Sequence, residues 1–117
     1  VKRLLGHEYR SLRVRYWRQG DKTAWILDEI GKELPITIGV VVDGGAISEV
    51  RILEFREIRG WEVRYPFFTE QFRGAELTGS DLSTDIDGIT GATLSVGAVT
   101  RVAKAALYLH EQVVERE

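Results

Sequence analysis

"ITIGVVVDGGAISEVRILEF", residues 36–55, sets two runs rich in Ile and Val on either side of Asp43-Gly44-Gly45. β-Branched side chains suit a pleated surface, and glycine accepts the positive φ that a tight two-residue turn demands. The stretch therefore predicts a β-hairpin. The unbroken apolarity of "ITIGVVV" predicts that its first strand is central and covered on both faces. Upstream, "TAWILDEI" (residues 23–30) reads as a further strand. It follows "QGDK", a polar link with a glycine that suits another hairpin. Before that, "LRVRYWR" alternates Leu12, Val14 and Tyr16 with arginines, the period of a half-buried strand. The opening "VKRLLGHEY" reads as a short helix or a frayed lead-in.

Downstream the pattern changes. In "REIRGWEVRYPFFTEQFRG" (residues 56–74) Pro66 stops what precedes it, and "FFTEQFRG" predicts one or two helical turns ending at Gly74. "AELTGSDLSTDIDG" (residues 75–88) reads as a polar loop. From Ser95 onward Val96, Val99, Val102, Ala103, Ala106, Leu107, His110, Val113 and Val114 recur at helical spacing with no proline, which predicts a long amphipathic C-terminal helix. The sum is an α+β fold: an antiparallel sheet with helices packed on it, within one domain spanning residues 1–117.

The chain has 117 residues, enough for one core and not for two. Its apolar fraction of 44% and charged fraction of 29% are ordinary for a globular chain. A net charge of -2 gives no general argument for nucleic acid or an anionic membrane. The charge is uneven, because Lys2, Arg3, Arg10, Arg13, Arg15 and Arg18 face only Glu8 in the first segment. A solvated basic face is the simpler reading of that cluster, an anionic partner the sharper one. The absence of cysteine excludes disulfides, thiol catalysis, iron–sulfur clusters and cysteine zinc sites. His7 and His110 lack a metal-ligand pattern, and His110 on the helix stripe reads as a packed or capping residue. Trp17 and Trp25 fall in strand patterns and read as core, and the carboxylates show no acid–base pairing. No apolar run approaches the ~20 residues that span a bilayer. Because the chain opens on Val1, it is expected to be a trimmed form, with any export signal in the missing part.

The chemistry-bearing stretch is "DIDGITGATLSVGAV" (residues 85–99), where glycines and hydroxyls crowd the start of the expected helix. An EF-hand register would place ligands at Ser83, Asp85 and Asp87 with Gly88 in step. Its bidentate glutamate would then fall on Leu94, which offers calcium no side-chain oxygen. There is no G-x-x-x-x-G-K-[ST] loop, and "GITGAT" is not G-x-G-x-x-G. Gly91 and Ala92 leave the backbone uncovered at a helix start, whose first amides lack intrahelical partners and attract anions such as phosphate. Thr90, Thr93 and Ser95 would line that site with hydroxyls. Equally, one of these hydroxyls could simply cap the helix while the glycines relax a turn; spacing alone does not choose.

"DGITGAT" (Asp87 to Thr93) resembles the D-x-x-[ST]-G-A-T signature of the FMN-binding domain family. That domain occurs in the C subunit of the sodium-pumping NADH:quinone reductase and the G subunit of the Rnf complex. "LSVGAVTRVAKAAL" is similar to the family's following helix, and "ITIGVVVDGGAISEVRILEF" to its preceding hairpin. The resemblance runs from about Ile36 to Leu109. It divides the chain into an N-terminal extension with the basic strand (residues 1–35) and the family core (residues 36–117). With Trp61 and "YPFFTEQFRG" the chain looks more like small stand-alone bacterial members than the large complex subunits. The resemblance implies that Thr93 carries FMN through a phosphoester. A magnesium-dependent flavin transferase (ApbE-type) installs it from FAD and releases AMP, so FAD and Mg2+ belong to the modifying enzyme only. Gly91 and Ala92 would keep bulk away from the entering phosphate. Thr90, Leu94 and Ser95 would border it, and Asp87 would hold the loop or serve recognition by the transferase.

"EIRGWE" (Glu57 to Glu62) occupies the place of the family's "ETPGLG" loop beside the flavin, with Arg59 for proline, Trp61 for leucine and Glu62 for glycine. The resemblance implies that Trp61 stacks on the isoalloxazine, the alternative being a partly buried core aromatic. It also implies that Gly60 lets backbone approach the ring and that Arg59 favours the anionic reduced flavin. Phe67, Phe68 and Phe72 read as packing of the short helix, with the alternative that one borders the flavin.

The expected function is an electron carrier rather than a free-standing enzyme, passing electrons between unidentified redox proteins. It is expected outside the cytoplasm, at the membrane only through the missing N-terminus or a partner. Two rivals remain: a module that holds FMN or another phosphate ligand without a covalent bond, and an interaction domain whose basic strand docks a partner.

Overall fold

A computed structural model of the protein describes residues 14–115. The lead-in over residues 1–9, Leu12 at the head of the basic strand, and His7 lie outside the described residues. Four strands, β1 (Val14–Gln19), β2 (Lys22–Ile30), β3 (Pro35–Asp43) and β4 (Ala46–Phe55), form one antiparallel sheet in the order β1-β2-β3-β4. β3 and β4 are joined as the sequence predicts. Gly44 and Gly45 have φ of 63° and 89°, the positive pair that a twisted two-residue hairpin requires. The turn between β1 and β2 lies at the same end, where the Gly44 amide donates to the Asp21 carbonyl at 3.0 Å.

One sheet face is the core. Trp25 and Leu27 of β2, Ile36, Ile38, Val40 and Val42 of β3, and Ile47 and Val50 of β4 are all buried there. After β4 the chain makes a 3-10 turn (Trp61–Arg64), then helix α1 (Pro66–Thr69) and a second 3-10 turn (Glu70–Phe72). Phe68 and Phe72 are fully buried and meet edge to face at 5.4 Å. They fix these turns to the core. Phe67, read as packing in the sequence, is instead 62% exposed, because a helix of one turn can bury only one side. The long helix α2 (Thr93–Glu115) lies across the core face of the sheet. Ala98, Ala103 and Ala106 keep its buried side thin, while Val99, Val102 and Leu107 fill the layer between.

Three expectations need correction. β3 is interior to the sheet, but only one of its faces is covered; Thr37, Gly39 and Val41 are half-buried on the other. Their apolar character is explained by neighbours in the sheet itself, with Leu53 lying over Gly39, and no second helical layer is needed. Trp17 is 56% exposed on that outer face, opposite Ala24, whereas Trp25 is buried as expected. The strand period, counted from β1 alone, gives no direction for the core. Finally, the "polar loop" contains a two-rung hairpin, β5 (Leu77–Thr78) with β6 (Asp81–Leu82). Leu77 and Leu82 pack on the core, an anchorage too short to show as a period.

Two buried polar groups tie α2 to β2. Glu29 is fully buried, and its carboxylate accepts from Arg101 Nε at 2.7 Å. His110 is the packed histidine anticipated above: Trp25 Nε1 donates to Thr23 Oγ1 at 2.6 Å, and the Thr23 hydroxyl, with its own proton available to His110 Nδ1, lies 2.7 Å from that nitrogen. That chain of bonds fits a neutral ring. Desolvation holds the His110 pKa below its ordinary value of 6.5. Arg18 acts in the same direction, against the opposing pull of Asp21, Asp43 and Glu111. A depressed folded-state pKa means that the unfolded chain takes the proton first. The stabilisation is whole above pH ~6.5 and is lost as pH falls through the folded value. We therefore expect melting temperature to fall less steeply between pH 7 and 5 in His110→Gln than in the wild type. Parallel slopes would contradict this assignment.

Candidate functional site

The site forms where α2 begins. Ile86 and Ile89 pack on the core, and the chain then turns at Gly91, with φ of 84°. The Ala92 amide closes that turn onto the Ile89 carbonyl at 2.9 Å. Ala92 is 3% exposed, and its own carbonyl accepts from the Val96 amide at 2.9 Å. Ala92 is therefore the N-cap, and the helix starts at Thr93, two residues before the apolar period suggests. Thr93 and Leu94 are exposed, so they carry no hydrophobic signal.

An alanine cap has no side-chain acceptor. Among the described residues, the amides of Thr93, Leu94 and Ser95 find no acceptor, and the hydroxyls of Thr90, Thr93 and Ser95 make no hydrogen bond. The alternative that one of these hydroxyls caps the helix is thus not what the chain does. No acidic residue occupies the first turn. The positive end of the helix dipole is left open to an anion, a preference of about 0.3–1 kcal/mol at an exposed terminus.

A second segment meets the helix at this point. Gly60, buried with φ of 89°, lies with its α-carbon against Ser95; a Cβ there would overlap Ser95 Oγ and come 3.6 Å from Phe55 Cζ. Only glycine satisfies both the backbone angle and this approach. The contact joins "EIRGWE" to the first turn of α2, two residues past "GITGAT", across 35 positions of sequence (95 − 60). Val63, fully buried, anchors the turn that follows Gly60. Trp61 is 42% exposed and meets Tyr65 edge-on at 5.3 Å, with exposed Phe67 at 6.0 Å beyond. Of the two readings of Trp61, the core one is therefore set aside. Arg59 is exposed and makes no ion pair among the described residues.

Glu57 is occupied elsewhere. Its carboxylate accepts from the amides of Lys32, Glu33 and Leu34 at 2.7, 3.0 and 3.2 Å, and so holds the β2–β3 connection. Partial desolvation pushes its pKa up, but the three amides and the Lys32 charge outweigh this, leaving it below the ordinary carboxylate value. Asp87 is held by a residue that sequence reading did not single out. The side-chain amide of Gln71 accepts from the Asp87 amide at 2.7 Å and donates to the Asp87 carbonyl at 3.2 Å. No spacing rule links positions 71 and 87, so no sequence signal pointed to it. Among the described residues no group of His, Asp and Glu forms a metal cluster, and no helix is long and apolar enough to cross a membrane.

What these parts can do together is bind a phosphorylated group. Free amides and hydroxyls lie together at the helix start, with an aromatic and a glycine backbone on the segment that meets it. A family model described as FMN-binding domain matches residues 31–108. The match begins directly after β2 and takes in the hairpin, the Gly60 turn, the Asp87–Thr93 loop and most of α2. No curated protein and no solved structure matches the chain. With more than half of its length matched, and both sides of the Gly60–Ser95 contact inside the match, this chain belongs to the FMN-binding domain family.

Proposed function

We propose that the protein is an electron-carrying flavoprotein domain that holds FMN covalently through Thr93 Oγ1. The observation that carries this reading is the uncapped start of α2: three amides without acceptors beside an exposed threonine hydroxyl with no hydrogen-bond partner. In the attachment step Thr93 Oγ1 forms a bond to the flavin-side phosphorus of FAD. The pyrophosphate bond breaks, AMP departs, and the hydroxyl proton is released to the flavin transferase or solvent. The resulting phosphodiester keeps one negative charge, and the amides of Leu94 and Ser95 are free to stabilise it. Gly91 and buried Ala92 present no bulk on the approach to Thr93, and Trp61 offers an exposed aromatic surface.

Bound FMN supplies one- and two-electron chemistry; the chain supplies binding, orientation and electrostatics. A tether suits a carrier that works where free FMN is scarce, which favours a place outside the cytoplasm beside redox partner proteins. The experiment is intact-mass measurement after co-expression with a flavin transferase. We expect a gain of one FMN less one water. Yellow protein that loses its colour on denaturation would instead support non-covalent binding, and colourless, unmodified protein an interaction domain.

A further inference from the structure

We propose that Gln71 is the positioning residue of the modification loop, setting the register of Asp87–Thr93 for the flavin transferase. The proposal rests on the covalent reading above.

Residues 84–91 have no regular structure. Among the described residues, the two hydrogen bonds between Gln71 and Asp87 are the only ones that join them to any earlier part of the chain. One planar carboxamide satisfies both the donor and the acceptor of a single residue, as a partner strand would in a ladder. The Asp87 N–H can only donate and its carbonyl can only accept, which fixes the orientation of the Gln71 amide. Two bonds to one residue restrain the peptide planes on both sides of it. They thereby restrain the direction of the exposed Asp87 carboxylate and the path of the five residues, Gly88 to Ala92, that lead to Thr93.

The restraint is only as firm as its base. Gln71 sits in the turn Glu70–Phe72, beside fully buried Phe72 and three residues after fully buried Phe68. The clamp therefore passes the rigidity of the aromatic core to a loop that is otherwise anchored, among the described residues, by Ile86 and Ile89 on the core and by the helix it enters. A loop presented to an enzyme in many conformations is bound in proportion to its competent fraction, so loosening it raises KM and leaves the chemical step alone.

The test compares wild type, Gln71→Leu and Gln71→Glu as protein substrates of a flavin transferase with FAD and Mg2+. Asp87 amide hydrogen exchange is read on the same unmodified proteins. We expect Gln71→Leu to raise KM on the order of tenfold, with kcat within about twofold. It should also speed Asp87 exchange while leaving the exchange of core strand amides unchanged. Gln71→Glu keeps the acceptor and loses the donor, and should fall between the two in KM. Unchanged KM, or unchanged Asp87 exchange in Gln71→Leu, overturns the proposal. Failure of the wild type to be modified would sink the covalent reading instead, while the exchange experiment would still decide whether the clamp exists.

Discussion

Thr93→Val is expected to yield protein that never acquires covalent flavin. Valine has the shape of threonine without the oxygen, and the position is exposed at the first turn of α2. Stability should therefore change by no more than about 0.5 kcal/mol. The loss is all-or-none because it is chemical: without Oγ1 no bond to phosphorus can form. Thr93→Ser restores an oxygen and should restore attachment, at a reduced rate because the unbranched side chain has more rotamers to populate. Thr90→Val should still be modified at Thr93. Denaturing electrophoresis with in-gel flavin fluorescence reads all three. Flavin retained by Thr93→Val through denaturation would place the linkage elsewhere.

Gly60→Ala carries the second large expectation. At φ of 89° a side chain is strained, and the new Cβ would overlap Ser95 Oγ in the first turn of α2. The backbone penalty is about 1–2 kcal/mol and the overpacking adds about 1–3, so a loss of roughly 2–5 kcal/mol is expected. For a domain of this size that corresponds to a fall in melting temperature of roughly 8–25 °C. The cycle with Ser95→Ala separates the two causes. Removing Oγ should recover part of the loss in Gly60→Ala, and the unrecovered part is the backbone strain. Additive effects would mean that positions 60 and 95 do not touch. Attachment of FMN at Thr93 should also slow in Gly60→Ala, since the contact that seats the Trp61 turn against the helix start is the one disturbed.

These two positions also show what could be read without coordinates. The β3–β4 hairpin and α2 were legible because each repeats a period many times, as with Ile36, Ile38, Val40 and Val42 facing one way and Val99, Val102, Ala106 and His110 another. Periods say nothing about groups that do not pack. Thr93 and Leu94 are exposed, so the helix looked two residues shorter than it is. Trp17 obeys a strand period yet faces solvent, because alternation separates two faces without saying which is the core. The site was legible only through the motif at Asp87–Thr93 and the likeness of Glu57–Glu62 to a flavin-side loop. The motif points to Thr93; Glu57, which the likeness assigns to the cofactor, has a carboxylate that accepts from three backbone amides. The Gln71 clamp is a tertiary contact between two irregular segments, and nothing local to either encodes it.

The central claim, that the open end of α2 carries FMN on one particular oxygen, is tested most directly by fragmentation of the proteolytic peptide spanning Asp85–Arg101 after treatment with a flavin transferase, FAD and Mg2+. The account predicts a single adduct of FMN less water, with fragment ions that assign it to Thr93. An unmodified peptide, or an adduct on Thr90, Ser95 or Thr100, would contradict it.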